Sequence, residues 1–505
     1  MATSAFSPVM TIIEQLPLLT VVVPLLSAPL VVIFGNRNVA WLLAFAASLI
    51  SFVFSAHLLA QVLDGEVISY ALGGWAPPLG IEYRIDAANA FVLFLISGIS
   101  TIVLPYAKRS VEHEIREVSH TLFYCCYLLC FAGLLGVVAT GDAFNVFVFL
   151  EISSLSTYVL IAMGAERDKR ALTAAYDYLI MGTIGATFFV IGIGFLYMAT
   201  GTLNMADLAE RIAGMGDNRT VQAGFAFIVV GMGLKAAIYP MHLWLPSAYT
   251  YAPSVVTTFL AATATKAAVY VLLRFMFSVY QPSFIFETHL LNWIIIPLAL
   301  TAMFAASVIA VFQQDLKRLL AYSSVAQIGY MMLGIGLVNI SGLTATIVHL
   351  FNHGVTKAAL FMVVGVFVMR AGGSFCGRLA GLGKMMPLTS AAFVVGGLSL
   401  IGVPGTVGFV SKWVLVTAAL ERGWWWMALL IVASSLLAII YIWKIVELLY
   451  MQESEDGVEV KEAPASMLVP IWILALVCIW LGIDTELTIG SARTAAEGLL
   501  AGGDL

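Results

Sequence analysis

Apolar runs about 20 residues long recur along the whole chain and alternate with short polar segments. Because an α-helix needs ~20 residues to cross ~30 Å of hydrocarbon, each run predicts one membrane-spanning helix. The sequence therefore predicts an all-α polytopic membrane protein, a single transmembrane domain over residues 1–505. Fourteen helices are expected, over residues 11–34, 39–63, 86–107, 120–139, 142–164, 171–200, 220–248, 253–279, 291–312, 319–339, 343–370, 388–420, 425–450 and 465–486.

The composition agrees with this pattern. The chain is 61% hydrophobic and only 10% charged, with a mean hydropathy of +0.99, whereas soluble domains are about 25% charged. Glu14 is the only charge before or within the first apolar run, so we expect that run to stay as a helix rather than act as a cleaved signal. The net charge of −5 and the lack of a basic stripe argue against nucleic-acid binding.

Neither a cofactor site nor a metal site is predicted. The loops are too short to form a soluble domain that could bind a nucleotide. Three of the five cysteines lie in one apolar helix without CxxC spacing, which is typical of small buried apolar side chains.

Lysines and arginines are distributed unevenly between the two sets of loops. If the N-terminus lies outside, thirteen fall in inner loops and five in outer loops. Because basic residues concentrate on the inner side, we expect a multi-pass protein of a bacterial or archaeal cell membrane with both termini outside.

Two apolar stretches are too long for one straight crossing. Residues 220–253 are interrupted by Pro240 and Pro246, and residues 387–423 by several glycines and Pro404. Such breaks free backbone groups that must face protein or a water-filled cavity, although ordinary proline kinks are an alternative. The two stretches are five crossings apart and so run in opposite directions, as broken helices of inverted-repeat transporters do. Each carries a lysine beside its break, namely Lys235 and Lys412.

Further ionisable residues are predicted at membrane depth, where a charge costs ~2.5–3.5 kcal/mol on insertion scales. They are Glu151 in the fifth helix, Lys266 in the eighth, and His349, His353 and Lys357 in the eleventh. The last three are spaced four apart and therefore share one helical face. Burial destabilises a charged lysine, a nearby carboxylate restores it, and histidine titrates near neutral pH. These residues suit proton transfer, with a static buried ion pair as the alternative for a single pair such as Glu151 and Lys235.

Other polar residues near helix ends have less specific interpretations. Arg274 and Lys444 are candidates for snorkelling to the interface. Asp86, Asp142 and Asp315 are expected to cap helices. Accessory roles in ion transfer are assigned to Asp177, His242 and Lys444, with an interfacial position as the alternative for His242.

Six motifs, in order, resemble the antiporter-like subunits shared by Mrp-type cation/proton antiporters, respiratory complex I and membrane-bound hydrogenases. They are "FVFLEISSLSTY", "GLKAAIYPMHLWLPSAY", "ATKAAVYVLLR", "QQDLKRLLAYSSVAQIGYM", "HLFNHGVTKAALF" and "GVPGTVGFVSKW". The resemblance spans roughly residues 85–486 and implies broken seventh and twelfth helices. It also implies inverted five-helix repeats over about 120–280 and 291–450, flanked by peripheral helices in 11–107 and 465–486.

The resemblance also implies roles for residues at matching motif positions. Glu151 pairs with Lys235, Lys266 is the central relay lysine, and Lys412 is the terminal lysine. His349, His353 and Lys357 link the halves. A lysine rather than a glutamate at 412 resembles the D-type member of the Mrp antiporters and the quinone-proximal member of complex I. Asp177, in "AAYDY", departs from the basic residue of many relatives.

The expected function is that of the proton-translocating subunit of a multi-subunit Na⁺/proton antiporter. Its expected partners are a homologous antiporter-like subunit and small membrane subunits, with the lipid bilayer as solvent. One alternative is a proton-pumping subunit of a complex I-like NADH-quinone oxidoreductase or membrane-bound hydrogenase, using the same residues. Another is a redox subunit that binds haem or quinone through membrane histidines, with His57 as a partner on a second helix.

Overall fold

The computed structural model describes residues 12–215, 217–281, 291–453 and 460–500, and these are almost entirely helical. The first residue of the first predicted helix lies outside them. The α-helices are α1 (Leu16–Phe34), α2 (Arg37–Leu63), α3 (Ala87–Glu114), α4 (His120–Ala139), α5 (Ala143–Ala162), α6 (Arg170–Thr200), α7 (Met205–Ala213), α8 (Arg219–Lys235), α9 (Trp244–Tyr251), α10 (Ser254–Leu273), α11 (Ile296–Val311), α12 (Leu316–Leu337), α13 (Ile340–Ala371), α14 (Leu382–Met385), α15 (Pro387–Ile401), α16 (Val407–Glu421), α17 (Trp425–Tyr450), α18 (Ala465–Ile483) and α19 (Ser491–Leu500).

Twelve helices in the described ranges are long and apolar enough to cross a bilayer as single elements. They coincide with the predicted helices other than the seventh and the twelfth. Their bounds differ at the ends, most clearly for α3, which continues through Lys108 and Arg109 to Glu114. Those two residues were expected in a loop, but no glycine or proline follows Pro105 to stop the helix.

The two over-long stretches are indeed interrupted. The first forms α8 and α9, separated by residues 236–243, and the second forms α15 and α16, separated by residues 402–406. Gly402 and Gly405 have φ angles of 92° and 86°, a left-handed conformation that glycine adopts without strain. Gly408 allows the two halves of the second break to meet, because a Cβ there would lie 1.7 Å from the Ser399 carbonyl oxygen.

Helix α13 forms the centre of the molecule. All its residues from 342 to 368 are buried, and it packs against α3, α10, α12, α15, α16, α18 and α19. Gly354 lets α13 approach α10 closely, since a Cβ at this position would lie 2.9 Å from the Ala262 carbonyl oxygen. The face that carries the histidines is thereby held against protein rather than lipid.

Three smaller features were not predicted from the sequence. An antiparallel hairpin joins α2 to α3 through β1 (Ile68–Ala71) and β2 (Glu82–Ile85). Helix α7 is short and amphipathic, and α19 lies beyond the last predicted helix and packs on α13 and α3. Each is too short or too polar to produce a run of about 20 apolar residues.

Helix α3 and the hairpin before it enclose the end of the bundle at which α10 finishes. α10 continues as a π-helical segment, Arg274–Val279. Asp86 begins α3 with a capping box in which its side chain accepts from the backbone of Asn89 and the Asn89 side chain accepts from the backbone of Asp86. The predicted capping role of Asp86 is therefore confirmed.

Candidate functional site

The candidate residues Glu151, Lys235, Lys266, His349, His353, Lys357 and Lys412 are called the ionisable row. Its first end lies where α5 meets α8. Lys235 is the last residue of α8, and its Nζ donates to Ser154 Oγ at 2.5 Å. Ser154 lies one turn beyond Glu151 on α5, and Glu151 Oε1 is buried without a hydrogen-bond partner among the described residues. Within the described residues, Glu151 and Lys235 form no ion pair within 4.0 Å. Ser154 is therefore the hydrogen-bond partner of Lys235 in this structure, and the pairing of Lys235 with Glu151 stays a prediction.

Both breaks leave helix-end carbonyls that nearby side chains satisfy. At the second break, Lys412 Nζ donates to the carbonyl oxygens of Leu400 and Ile401 at 3.1 and 2.9 Å. At the first, Trp244 Nε1 donates to the carbonyl oxygen of Leu234 at 2.9 Å. Because a helix C-terminus carries partial negative charge, each lysine lies where a cation is favoured.

The central lysines are deeply buried and contact neutral oxygen atoms. Lys266 on α10 donates to the Ala261 carbonyl oxygen and, at 3.3 Å, to Thr265 Oγ1. Lys357 on α13 donates to Ser323 Oγ and, at 2.8 Å, to the Leu320 carbonyl oxygen. Among the described residues, neither has a carboxylate within 4.0 Å. Their positive charge is consequently uncompensated whenever they are protonated.

The two histidines of α13 connect this centre to the second break. Their rings are stacked, with centroids 6.0 Å apart and planes within 3° of parallel. His349 Nδ1 lies 2.8 Å from Ser411 Oγ, and Ser411 directly precedes Lys412. His349 Nε2 and both nitrogens of His353 have no hydrogen-bond partner within the described part of the chain.

The helices that carry these residues form a continuous series. α5 packs on α6, α6 on α8, α8 on α10, α10 on α13, and α13 on α16. Among the described residues, buried polar atoms without a hydrogen-bond partner occur along the series at Glu151, His349, Asn352 and His353. Buried polar atoms of this kind are normally hydrogen-bonded, commonly to internal water. The arrangement has the donors, the acceptors and the polarity that stepwise proton transfer requires.

Within the described residues, none of the accessory candidates hydrogen-bonds to Glu151, to the two histidines of α13 or to the lysines described above. Asp177 is exposed on the outward side of α6. His242 is buried and stacks on Tyr239 with ring centroids 5.0 Å apart. Lys444 Nζ donates to the carbonyl oxygens of Val311 and Gln313 at 3.2 and 2.8 Å, so it caps the end of α11.

Three other residues singled out near helix ends can now be placed. Asp142 and Asp315 cap α5 and α12, as predicted, by accepting backbone N–H groups at 2.7 and 3.0 Å. Arg274 does not snorkel. It is only 8% exposed and forms an ion pair with Asp86.

A cavity of about 550 Å³ opens at the end of the bundle where α3 finishes and α12 begins. Its charged lining residues are Glu114, Arg167, Asp168, Arg170, Asp315, Lys317 and Arg378. Hydrogen bonds from Arg170 hold the pKa of Asp168 below its usual value. Lys317 is buried at the cavity and lies on the same helix as Ser323, the partner of Lys357. Helix α12 thus joins a charged cavity to the central lysines.

Several residues of this site were not identified from the sequence. Ser154, Ser323 and Ser411 contact Lys235, Lys357 and His349 respectively. The available signal was the placement of serines beside charged residues in apolar helices, in "LEISS" and "VSKW". The haem alternative needs histidines on two helices, whereas His349 and His353 lie on the same helix, α13. His57 is exposed on α2.

Comparison with known proteins gives consistent matches over nearly the whole chain. A family model described as NADH:quinone oxidoreductase/Mrp antiporter, transmembrane, matches residues 140–438. The chain is 39% identical over 499 residues to NADH-quinone oxidoreductase subunit N of Desulforudis audaxviator, covering 94% of this chain and 97% of that protein. It is 30% identical over 490 residues to a putative antiporter subunit, mnhD2, of Staphylococcus aureus, covering 96% of each.

Among solved structures, the fold is similar to a chain in the Mrp complex from Dietzia sp. The TM-score is 0.88 with 28% sequence identity, covering 97% of this chain and 98% of that chain. The residues that match the family model include every member of the ionisable row from Glu151 to Lys412.

Proposed function

Because the chain belongs to the NADH:quinone oxidoreductase/Mrp antiporter family, we propose that it is the proton-translocating subunit of a multi-subunit monovalent cation/proton antiporter, with Na⁺ as the exchanged cation. The observation that carries the proposal is the row of buried lysines and histidines whose contacts are neutral hydroxyls and carbonyls. Each of these groups can hold or release a proton. A static ion-pair network would instead pair each buried cation with a carboxylate.

In this proposal protons move along Glu151, Lys235, Lys266, His353, His349 and Lys412, with Lys357 as a side branch toward α12. The cavity at Lys317 exchanges protons with the inner side. Lys235 alternates between Ser154 and Glu151, since both lie on α5, one turn apart. Protonation of Lys235 is favoured when it contacts the carboxylate and disfavoured when it contacts the serine.

The energy that such a switch must supply is modest. Moving one charge through 100 mV is worth about 2.3 kcal/mol. A change of under two pKa units in one group provides this amount, at about 1.36 kcal/mol per unit. One alternating ion pair is therefore sufficient to couple proton movement to cation movement in a neighbouring subunit.

The test uses the whole complex in membrane vesicles and measures Na⁺-driven proton movement with a pH-sensitive dye. Lys235→Ala and Glu151→Ala are each expected to abolish transport while the protein remains inserted and assembled. Lys384→Ala, which changes an exposed lysine of α14, is the matched control and should transport normally. Normal antiport in either relay variant would contradict the proposal.

Location and partners follow from the same family membership. We propose that the protein lies in a bacterial or archaeal cell membrane with both termini outside, beside a homologous antiporter-like subunit and small membrane subunits. Labelling of single cysteines introduced at Arg167 and Arg219 from each side of intact cells tests the orientation. Arg167 is expected to be labelled from inside and Arg219 from outside, and the reverse pattern would overturn the orientation.

The second candidate function is that of a proton-pumping subunit in a complex I-like NADH-quinone oxidoreductase. The 39% identity to an NADH-quinone oxidoreductase subunit N favours it. Purification of the intact complex separates the two candidates. Co-purifying membrane subunits alone, with transport driven by Na⁺, support the antiporter, whereas co-purifying iron–sulfur or flavin subunits support the redox-driven pump.

A further inference from the structure

The C-terminal half of α10 carries a polar column that the proposed proton path does not use. Lys266, Tyr270 and Arg274 are spaced four residues apart and so lie on one helical face. All three side chains are buried. Arg274 Nε donates to Tyr270 Oη at 3.1 Å, so these two members of the column are directly hydrogen-bonded. The column runs from the central lysine to the surface where α3 begins.

Arg274 ends this column in a buried ion pair with Asp86, 188 residues away in the chain. Arg274 Nη1 lies 2.6 Å from Asp86 Oδ2, and Nη2 lies 2.8 Å from Oδ1, so the contact is bidentate. Nη1 also donates to Ser278 Oγ at 3.2 Å. Every nitrogen of the guanidinium is therefore engaged, and the group is fixed across the column.

A polar space adjoins this ion pair. A cavity of about 20 Å³ is lined by the polar residues Tyr270, Arg274, Ser278, Thr140 and Arg84, and by Gly141, Met205 and Ala206. That volume is sufficient for one water molecule, which needs ~10–15 Å³ and two to four polar partners. Buried Arg84 Nε has no hydrogen-bond partner within the described residues. If Arg274 were absent, Tyr270 and a water at this position would extend a proton path from the column toward the surface.

An arginine cannot take part in such a path, because its guanidinium stays protonated at all working pH values. Its fixed positive charge also repels a proton that approaches along the column. We propose that the Arg274–Asp86 ion pair seals the α10 column and prevents passive proton flow between Lys266 and the surface at which α3 begins. The inference rests on the proposed role of Lys266 as a proton carrier.

The test measures passive proton flux, which is a different quantity from antiport. The whole complex is reconstituted in liposomes with an internal pH dye and no Na⁺, and valinomycin with a K⁺ gradient imposes a membrane potential. Arg274→Gln is expected to raise passive flux on the order of tenfold, as expected when a barrier falls by about 1.4 kcal/mol. Arg211→Gln, which breaks a more exposed ion pair with Asp207, should leave the flux unchanged.

Further variants separate sealing from a purely structural role. Arg274→Lys keeps the charge but loses the bidentate contact, so it should restore low flux while the thermal unfolding temperature stays reduced. If Arg274→Gln does not assemble, the double variant Arg274→Gln with Asp86→Asn leaves no unpaired charge and should show the same raised flux. Low flux in assembled Arg274→Gln, or in the assembled double variant Arg274→Gln with Asp86→Asn, would overturn the proposal.

The path through Lys266 has its own test. Arg274→Gln combined with Lys266→Met should return to low passive flux. A leak that persists in this combination would contradict the sealed column, because protons would then cross elsewhere. Failure of the relay itself would be seen separately, as normal Na⁺-driven antiport in Lys266→Met alone.

Discussion

Replacing Ser411 by alanine tests the connection between the two halves of the proposed relay. Ser411 Oγ is the partner of His349 Nδ1 at 2.8 Å, and His349 Nε2 already has none within the described residues. The variant leaves a buried imidazole without any partner, which costs about 1–3 kcal/mol. If proton transfer from His349 toward Lys412 uses this hydroxyl, the same energy appears in the barrier and slows transport about 5- to 150-fold.

Ser390 provides a matched control on the neighbouring helix α15. It is also a buried serine, but its Oγ has no hydrogen-bond partner within the described residues. Because Ser390→Ala removes a buried hydroxyl that has no such partner, it should not lower stability and should leave transport intact. Both variants are compared by Na⁺-driven dye quenching in vesicles and by thermal unfolding of the purified complex. Equal transport in the two variants would refute the assignment of Ser411 to the relay.

Two other predictions separate structural from transporting residues. Lys444→Met removes the cap on the Val311 and Gln313 carbonyls. It should therefore destabilise the protein by about 1–2 kcal/mol without slowing antiport. Loss of antiport at normal assembly would instead place Lys444 in the proton path. Gly408→Ala would put a Cβ 1.7 Å from the Ser399 carbonyl oxygen and should reduce the amount of assembled protein in membranes. Gly498→Ala, whose Cβ would have no atom within 4 Å among the described residues, should stabilise the protein by up to about 1 kcal/mol. Equal membrane levels of the two variants would contradict this packing.

Much of the architecture follows from the apolar pattern alone. The twelve single helices and both interruptions lie where the sequence predicted them, because hydrocarbon thickness and the cost of free backbone groups leave few alternatives. The hairpin and α7 were not predicted, since neither is constrained by bilayer thickness. The same holds for α19, whose polar residues alternate with small apolar ones.

Side-chain partners were harder to predict than helix positions. Helical spacing shows that His349, His353 and Lys357 share a face, but it does not show which helix that face meets. Lys235 and Ser154 are 81 residues apart, and Arg274 and Asp86 are 188 apart. Such contacts depend on how the helices rotate and pack. Arg274 near a helix end therefore suggested snorkelling, and the structure shows a buried ion pair instead.

The central claim is that buried lysines carry protons across the middle of the membrane, and Lys266 tests it most directly. Lys266 is 1% exposed, lies between the two breaks and has no carboxylate within 4.0 Å among the described residues. Lys266→Met preserves the length and apolar character of the side chain while removing its proton-carrying group. Na⁺-driven proton movement should be lost in the reconstituted complex while assembly and thermal stability are retained. Wild-type proton movement in this variant would contradict the account.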